Sequence, residues 1–391
     1  MYDFNSTYNR LVEEASKYQC LKKSGLDKNS DIIPMTTADM DFPLAPEIRE
    51  AIKEYVSTHV LGYSKVTEEY IDTCIDYYKK QYNYSPKKDS IVTVPGIVTA
   101  LSTSVAAYSE PGDKVIIFTP VYPPFSEVVK MQGREICECK LIDSDGYYTI
   151  DFENLEKLAS DPKVKLILLC NPHNPGGRVW TREELENVER IARKNNLVVV
   201  SDEIHSDIVF EPLKHTCYGT IDGAKDHCIV CHAASKTYNI AGLQCSNIII
   251  ENKELYDKFV NVNLSRGIER ANVLGMVATK AAYEKAGEWK KEMKNVIAEN
   301  FEVLHKFFEN KKEFKLAKTE ASFLAWLNYK NLNVSHDKFM EALNEFHFLA
   351  ADGLDYGQAG EYYIRINVGL PKAKLIENLE RFEKCIQSFK N

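Results

Sequence analysis

Between residues 90 and 250 the chain alternates short, β-branched apolar runs with amphipathic segments, and this alternation limits the fold more than any other feature. The runs are VIIF (115–118), VKLILLC (164–170), LVVVSD (197–202), CIVCH (228–232) and SNIII (246–250). Between the second and third lies TREELENVERIARKNN. There Thr181 and Glu184 form a capping box, and Leu185, Val188, Ile191 and Ala192 share one helical face. The unit reads strand, helix, strand. Strands that are apolar nearly throughout are covered on both faces, so a mostly parallel α/β sheet between helices is expected.

The flanks follow another pattern. The first 40 residues are polar and irregular, and PEIREAIKEYV (46–56) reads as a helix with proline in its first turn and Ile48, Ala51, Ile52 and Tyr55 inward. Past about residue 285, amphipathic helices surround two candidate strands, FLAWLNY (323–329) and YYIRINV (362–368). The last helix places Leu375, Ile376, Leu379, Phe382 and Ile386 on one face. At 391 residues the length suits two domains. The expected division is an arm over 1–45 that forms part of the smaller domain, a large α/β domain over 46–285, and a small α+β domain over 286–391.

Composition narrows the function. Lys and Arg number 49 against 57 Asp and Glu, a net charge of −8, which argues against a nucleic-acid partner. No run of about 18 apolar residues is present, so no membrane span is expected. The start, MYDFNSTYNRLVEE, lacks the apolar core of a signal peptide, and the cytoplasm is the expected compartment. The ten cysteines read as mostly reduced thiols in a chain able to bury a core without staples. His227, Cys228, Cys231 and His232 offer zinc-type ligands, but a β-branched strand sends Cys228 and Cys231 to opposite faces. No metal is expected there.

Open α/β sheets bind ligands beyond the carboxyl ends of their strands. Three apolar runs deliver polar groups at that point: the amide of Asn174, the carboxylate of Asp202 with the imidazole of His205, and the amine of Lys236 in HAASKTYNIAG. Most lysines sit in water. One kept out of water becomes a neutral nucleophile. Taken singly these residues have ordinary readings, a turn for NPHNPGG and a cap for Asp202; their shared place at one sheet edge is what points to a site.

The phrases ADMDFP, TPVYPPF, NPHNPGG, DEIHSD, SKTYNIAGL and RINVG, in that order from residue 38 to 369, resemble the aspartate-aminotransferase superfamily of pyridoxal-phosphate (PLP) enzymes, fold type I. Within it the chain is most similar to the MalY/PatB-type cystathionine β-lyase group. The resemblance implies a seven-stranded, mostly parallel sheet and a homodimer with shared active sites. It also implies that Lys236 holds PLP as an imine and takes the substrate Cα proton. Asp202 would pair with the pyridine nitrogen, and Asn174 would bond the ring's phenolic oxygen. His205 would lie on the same side of that loop, and Tyr122 would stack on the ring. For the phosphate, the N–H groups near Ile97 and Val98 would open a helix toward the anion. Ser235 and, from the neighbouring subunit, Tyr63 would add hydroxyls. Arg365 would clamp the α-carboxylate of a small amino-acid substrate through a bidentate pair.

Three details separate lyase from aminotransferase within the resemblance. Aminotransferases of class I read NPxNPTG where this chain has Gly176 and Gly177. They carry tyrosine at the position of His205 and a phosphate-binding arginine at the position of Gln244. The chain resembles the lyase group at all three, so a carbon–sulfur β-lyase releasing a thiol, pyruvate and ammonia is expected. An aminotransferase of aromatic or branched amino acids is the alternative. A PLP-binding regulatory protein acting through a protein partner is the second. The segment Ala38–Phe42 also lies near the expected site, with no role assigned.

Overall fold

The computed structural model describes residues 2–26 and 30–390. The main sheet begins with β1 (Ile91–Val94), β2 (Lys114–Thr119) and β3 (Glu135–Lys140). A separate hairpin of β4 (Ile142–Ser144) and β5 (Tyr147–Thr149) follows. The main sheet is then completed by β6 (Val164–Cys170), β7 (Val198–Asp202), β8 (Cys228–His232) and β9 (Ser246–Ile249). Its order is β1-β9-β8-β7-β6-β2-β3, and β9 alone runs against the rest. The five runs read from the sequence are therefore strands, four of them in one direction.

Both faces of this sheet are covered, as the continuous apolar runs require. Leu166, Leu168, Val200, Ile229 and Cys231 pack on one side, and Ile167, Leu169, Val199, Cys228 and Val230 on the other. Each buried aliphatic side chain contributes roughly 1.5–3 kcal/mol. Cys228 and Cys231 thus face opposite layers. His232 lies instead against Glu203 and Cys217, and all ten cysteines are free thiols. The capping box opens the helix Arg182–Lys194: the Glu184 N–H donates to Thr181 Oγ1 at 3.1 Å, and the Thr181 N–H to Glu184 Oε2 at 2.8 Å. The helix Pro46–Thr58 forms with proline in its first turn, yet only Ile48 of its expected inner face is fully buried. Ala51, Ile52 and Tyr55 are half-covered.

A second, antiparallel sheet contains β10 (Lys315–Leu316), β11 (Leu324–Asn328), β12 (Ala351–Asp352) and β13 (Tyr363–Asn367) in the order β10-β11-β13-β12. Its core includes residues of the helices Gly287–Phe308, His336–Glu345 and Lys372–Ser388. On the last of these Leu375, Leu379, Phe382 and Ile386 are buried, but Ile376 is 43% exposed. It sits about 100° round the helix from Leu375 and misses the stripe; Cys385 is buried in addition. The N-terminal residues Phe4, Tyr18, Ile33, Met35 and Met40 join the same core. Met35 bridges Ala350, its N–H donating to Leu349 O at 2.7 Å and its carbonyl accepting from the Asn367 N–H at 3.0 Å. That splice lays the segment after Met35 along β13. No described helix is long and apolar enough to cross a membrane.

Candidate active site

Strands β1, β2, β6, β7 and β8 all end at the same edge of the sheet. Register aligns Cys170 with Asp202 and Asp202 with Cys231, so the loops after β6 and β8 flank the Asp202 carboxyl. The loop after β6 holds Asn174 through a turn that needs glycine. Gly177 has φ +69°, and a Cβ there would meet the Thr319 Cα at 3.0 Å. The Gly177 carbonyl in turn accepts the N–H groups of Glu320 and Ala321 at 2.8 and 3.1 Å. Gly177 is the glycine that NPxNPTG also has; the departure is Gly176, where a Cβ would meet the Tyr148 ring at 2.9 Å and a threonine would clash.

Lys236 sits four residues past the end of β8, half-buried. Its Nζ donates to the Ala38 carbonyl at 2.6 Å. Burial lowers its pKa and Arg365 pushes the same way, while Asp39 and Asp202 partly oppose them. The neutral amine is thereby favoured. Asp202 is buried at the tip of β7, and its pKa is raised to about 7, first by burial and then by the neighbouring Glu203. The Ile204 N–H, 3.1 Å from Oδ1, and the charge of Lys236 pull it back down. His205 is buried with its pKa lowered to about 3, by burial and by the charges of Lys236 and Arg365. It is a neutral imidazole, with Nδ1 3.1 Å from Ser322 Oγ.

Arg365 arrives from the other sheet, on β13. Its Nη1 donates to Asn174 Oδ1 at 3.2 Å and its Nη2 to the Thr36 carbonyl at 2.7 Å. The guanidinium lies 5.0 Å from the centroid of the Tyr356 ring, and its buried Nε has no acceptor among the described residues. Lys236, Tyr122 and Arg365 line one cavity of about 430 Å³ with Thr36, Thr37 and Ala38. The Val121 N–H donates to Tyr356 O at 3.0 Å, and the Tyr122 N–H to Asn174 O at 3.1 Å, tying both loops to the same wall.

Most of the expected residues therefore meet. Lys236, Asp202, Asn174, Tyr122, His205 and Arg365 lie within hydrogen-bonding or charge-coupling range of one another. Ile97 and Val98 begin the helix Ile97–Tyr108 at the same sheet edge, beyond Gly96 at φ +90°. Among the described residues no side chain caps that helix, which leaves its first N–H groups without a side-chain acceptor there. Ser235 lies half-buried beside Lys236. Tyr63 does not join the cluster; it is fully exposed, next to the exposed Val60 and Leu61.

What sequence reasoning missed is the hub formed by residues 36–40. Five consecutive carbonyls there receive side chains: Thr36 O from Arg365, Thr37 O from Asn367, and Ala38 O from Lys236. Asp39 O accepts from Lys17 and Asn367, and Met40 O from Asn239 and Arg10. Carbonyl acceptors carry no residue signature. The charged anchors did leave a trace, since Asp39 and Asp41 match Arg10 and Lys17.

This combination of a mostly parallel sheet, a half-buried amine and an arginine reaching over from a second sheet is that of a known class. The chain belongs to the aminotransferase class I and II family, which it matches over residues 30–382. Among its relatives, cystathionine beta-lyase PatB of Bacillus subtilis is 36% identical over 98% of this chain and 100% of that protein. Protein MalY of Escherichia coli is 30% identical over 88% and 89% of the two chains. Cystalysin from Treponema denticola, whose crystal structure contains a pyridoxal 5′-phosphate cofactor, aligns with a TM-score of 0.97 at 36% identity, covering 99% of each chain.

Proposed function

We propose that the protein is a PLP-dependent carbon–sulfur β-lyase that converts a cysteine thioether and water into a thiol, pyruvate and ammonium. The observation that carries this reading is the single cavity in which the Lys236 amine and the Arg365 guanidinium meet. The donor set fits the cofactor: a lysine favoured in its neutral form, a buried acid at a strand end, and an uncapped helix N-terminus on the same edge. When bound, PLP supplies an electron sink for the pair left at the substrate Cα.

The chain's own residues do the rest. Lys236 would hold the cofactor through its amine, and that amine, when free, is placed to take the substrate Cα proton. The Ala38 carbonyl at 2.6 Å keeps that freed amine in the cavity. Asp202, buried at the tip of β7, would pair with the ring nitrogen and keep it protonated. Asn174 and Tyr122 hold the ring, and His205, neutral, adds no charge against the amine. The N–H groups near Ile97 and Val98, with Ser235, receive the phosphate. Arg365 binds the α-carboxylate, its Nε still free for an acceptor.

The same reading extends to assembly. Tyr63, exposed with Val60 and Leu61, serves the phosphate of a second copy in a homodimer. The large domain spans 46–285, flanked by the arm over 1–45 and the small domain over 286–391, and the protein works in the cytoplasm. The test is purified PLP-loaded protein with L-cystathionine and no keto acid, beside Lys236→Ala. Thiol and pyruvate in equal amounts, with the variant silent, support the lyase. Loss of the cofactor's aldehyde form until a keto acid restores it would make the protein an aminotransferase.

A further inference from the structure

The H-C-x-x-C-H stretch does not gather its own ligands, yet its last residue meets others from elsewhere in the chain. Cys228 and Cys231 are buried in opposite layers. His232, at the end of β8, points its Nε2 at the Glu203 carboxylate, 3.5 Å away, and at the Cys217 thiol, 4.0 Å away. The ligand atoms of these three residues lie within 4.8 Å of one another, and all three residues are buried. The His232 ring packs against the rings of Tyr78 and Tyr82 at centroid distances of 4.7 and 5.1 Å, which fixes its direction. Both Nε2 contacts are longer than an ordinary hydrogen bond, so a buried nitrogen is poorly served by the protein alone.

Glu203 is held from behind. Its Oε1 accepts the Ser201 hydroxyl at 2.9 Å and the Tyr218 N–H at 2.8 Å, which turns Oε2 toward the cluster. Oε2 also lies 2.6 Å from His215 Nε2, while His215 Nδ1 is buried with no partner among the described residues. A tetrahedral zinc ion with bonds of about 2.0–2.3 Å keeps its ligand atoms roughly 3.3–3.6 Å apart. The contact of His232 with Glu203 already has that separation, and its contact with Cys217 is slightly longer. His215 reaches the fourth position by drawing back from Glu203 by less than about 1 Å. The two charges of the ion are matched by the carboxylate and a thiolate, so the buried centre is neutral; the Cys217 proton goes to water. His215 also lines a cavity of about 610 Å³ together with the exposed Lys80, Pro212 and Lys214, which gives an ion a path from solvent.

We propose that Glu203, His215, Cys217 and His232 bind a structural zinc ion that braces the end of β7 against the end of β8. Glu203 directly follows Asp202, and His232 precedes Lys236 by four residues, so the brace stands behind the catalytic edge of the sheet. Four protein ligands leave no open position, and the ion takes no part in the reaction. Thiolate and imidazole ligands select zinc over calcium or magnesium, which take oxygen.

The test uses protein made in zinc- or cobalt-supplemented culture and purified PLP-loaded, with neither chelator nor metal-affinity tag. Elemental analysis should find about one ion per chain. The cobalt form should show the strong visible bands of a tetrahedral site at the red end, where PLP does not absorb. Cys217→Ser and His232→Ala, each still carrying PLP, should lose about nine-tenths of that metal or more, whereas Cys231→Ala should keep it. Less than about a tenth of an ion per wild-type chain from both cultures overturns the proposal, as does the weak spectrum of six-coordinate cobalt. Metal that survives both Cys217→Ser and His232→Ala sits elsewhere, at the cofactor phosphate or the surface, and overturns it equally. Should a variant fail to fold, the metal content and cobalt spectrum of the wild type decide alone.

Discussion

At the scale of the residue, the site is governed by what burial does to charge. Lys236 and Asp202 are pushed in opposite pKa directions by the same cause, and both move toward the neutral form. For Asp202 this has a cost in stability. Its folded pKa of about 7 lies above its ordinary value of 3.8, so the folded state binds the proton more tightly than the unfolded state. Stability is therefore lost as pH rises through that window, and the loss is level above it. The cofactor-free Asp202→Asn variant should accordingly melt above the wild type. The gap should widen from about pH 4 to pH 7, to roughly 2–4 kcal/mol at most. Melting curves across that range check it; a gap that shrinks with pH would contradict the burial argument. PLP-loaded activity of the same variant should fall, since a neutral amide carries no charge to keep the ring nitrogen protonated.

At the scale of the element, the segment 36–42 decides where the catalytic groups point. Its anchors are Arg10 on Asp39 at 2.7 Å, and Lys17 and Tyr18 on Asp41. Lys17 and Asp41 are almost wholly buried. Removing one partner of such a pair leaves an uncompensated charge. Lys17→Met should cost about 3 kcal/mol of stability. It should also raise KM for the amino-acid substrate, because Thr36 O no longer fixes Arg365. Denaturant titration and steady-state kinetics together test this; an unchanged KM would mean that the anchor serves stability alone. The regular elements were legible beforehand. VKLILLC and CIVCH were read to their exact ends because β-branched runs bounded by polar residues leave little freedom. Ile376 was misplaced because one step along a helix rotates a residue out of a stripe that a periodicity count still accepts. The hub at 36–40 was not legible, since its acceptors are backbone carbonyls and its donors lie up to some 330 positions away.

At the scale of the whole molecule, the single chain leaves the expected phosphate site short of one hydroxyl. Tyr63 stands clear of the cluster, fully exposed. If it completes a neighbour's site, Tyr63→Ala and Lys236→Ala should complement each other. Random mixing puts one intact site in half of the dimers, so about a quarter of wild-type activity should return after co-refolding. Activity no greater than the sum of the two variants would place each site within one subunit. The sequence by itself determined the sheet, its helices and the chemical types at the strand ends, because hydrophobic periodicity and turn chemistry act over a few residues. Lys236, Asp202 and Asn174 were found that way. Only the tertiary structure decided that Arg365 crosses from the second sheet to Asn174 and that the Ala38 carbonyl holds the lysine. Those contacts join segments far apart in the chain, and burial and charge at a point in space depend on everything packed around it.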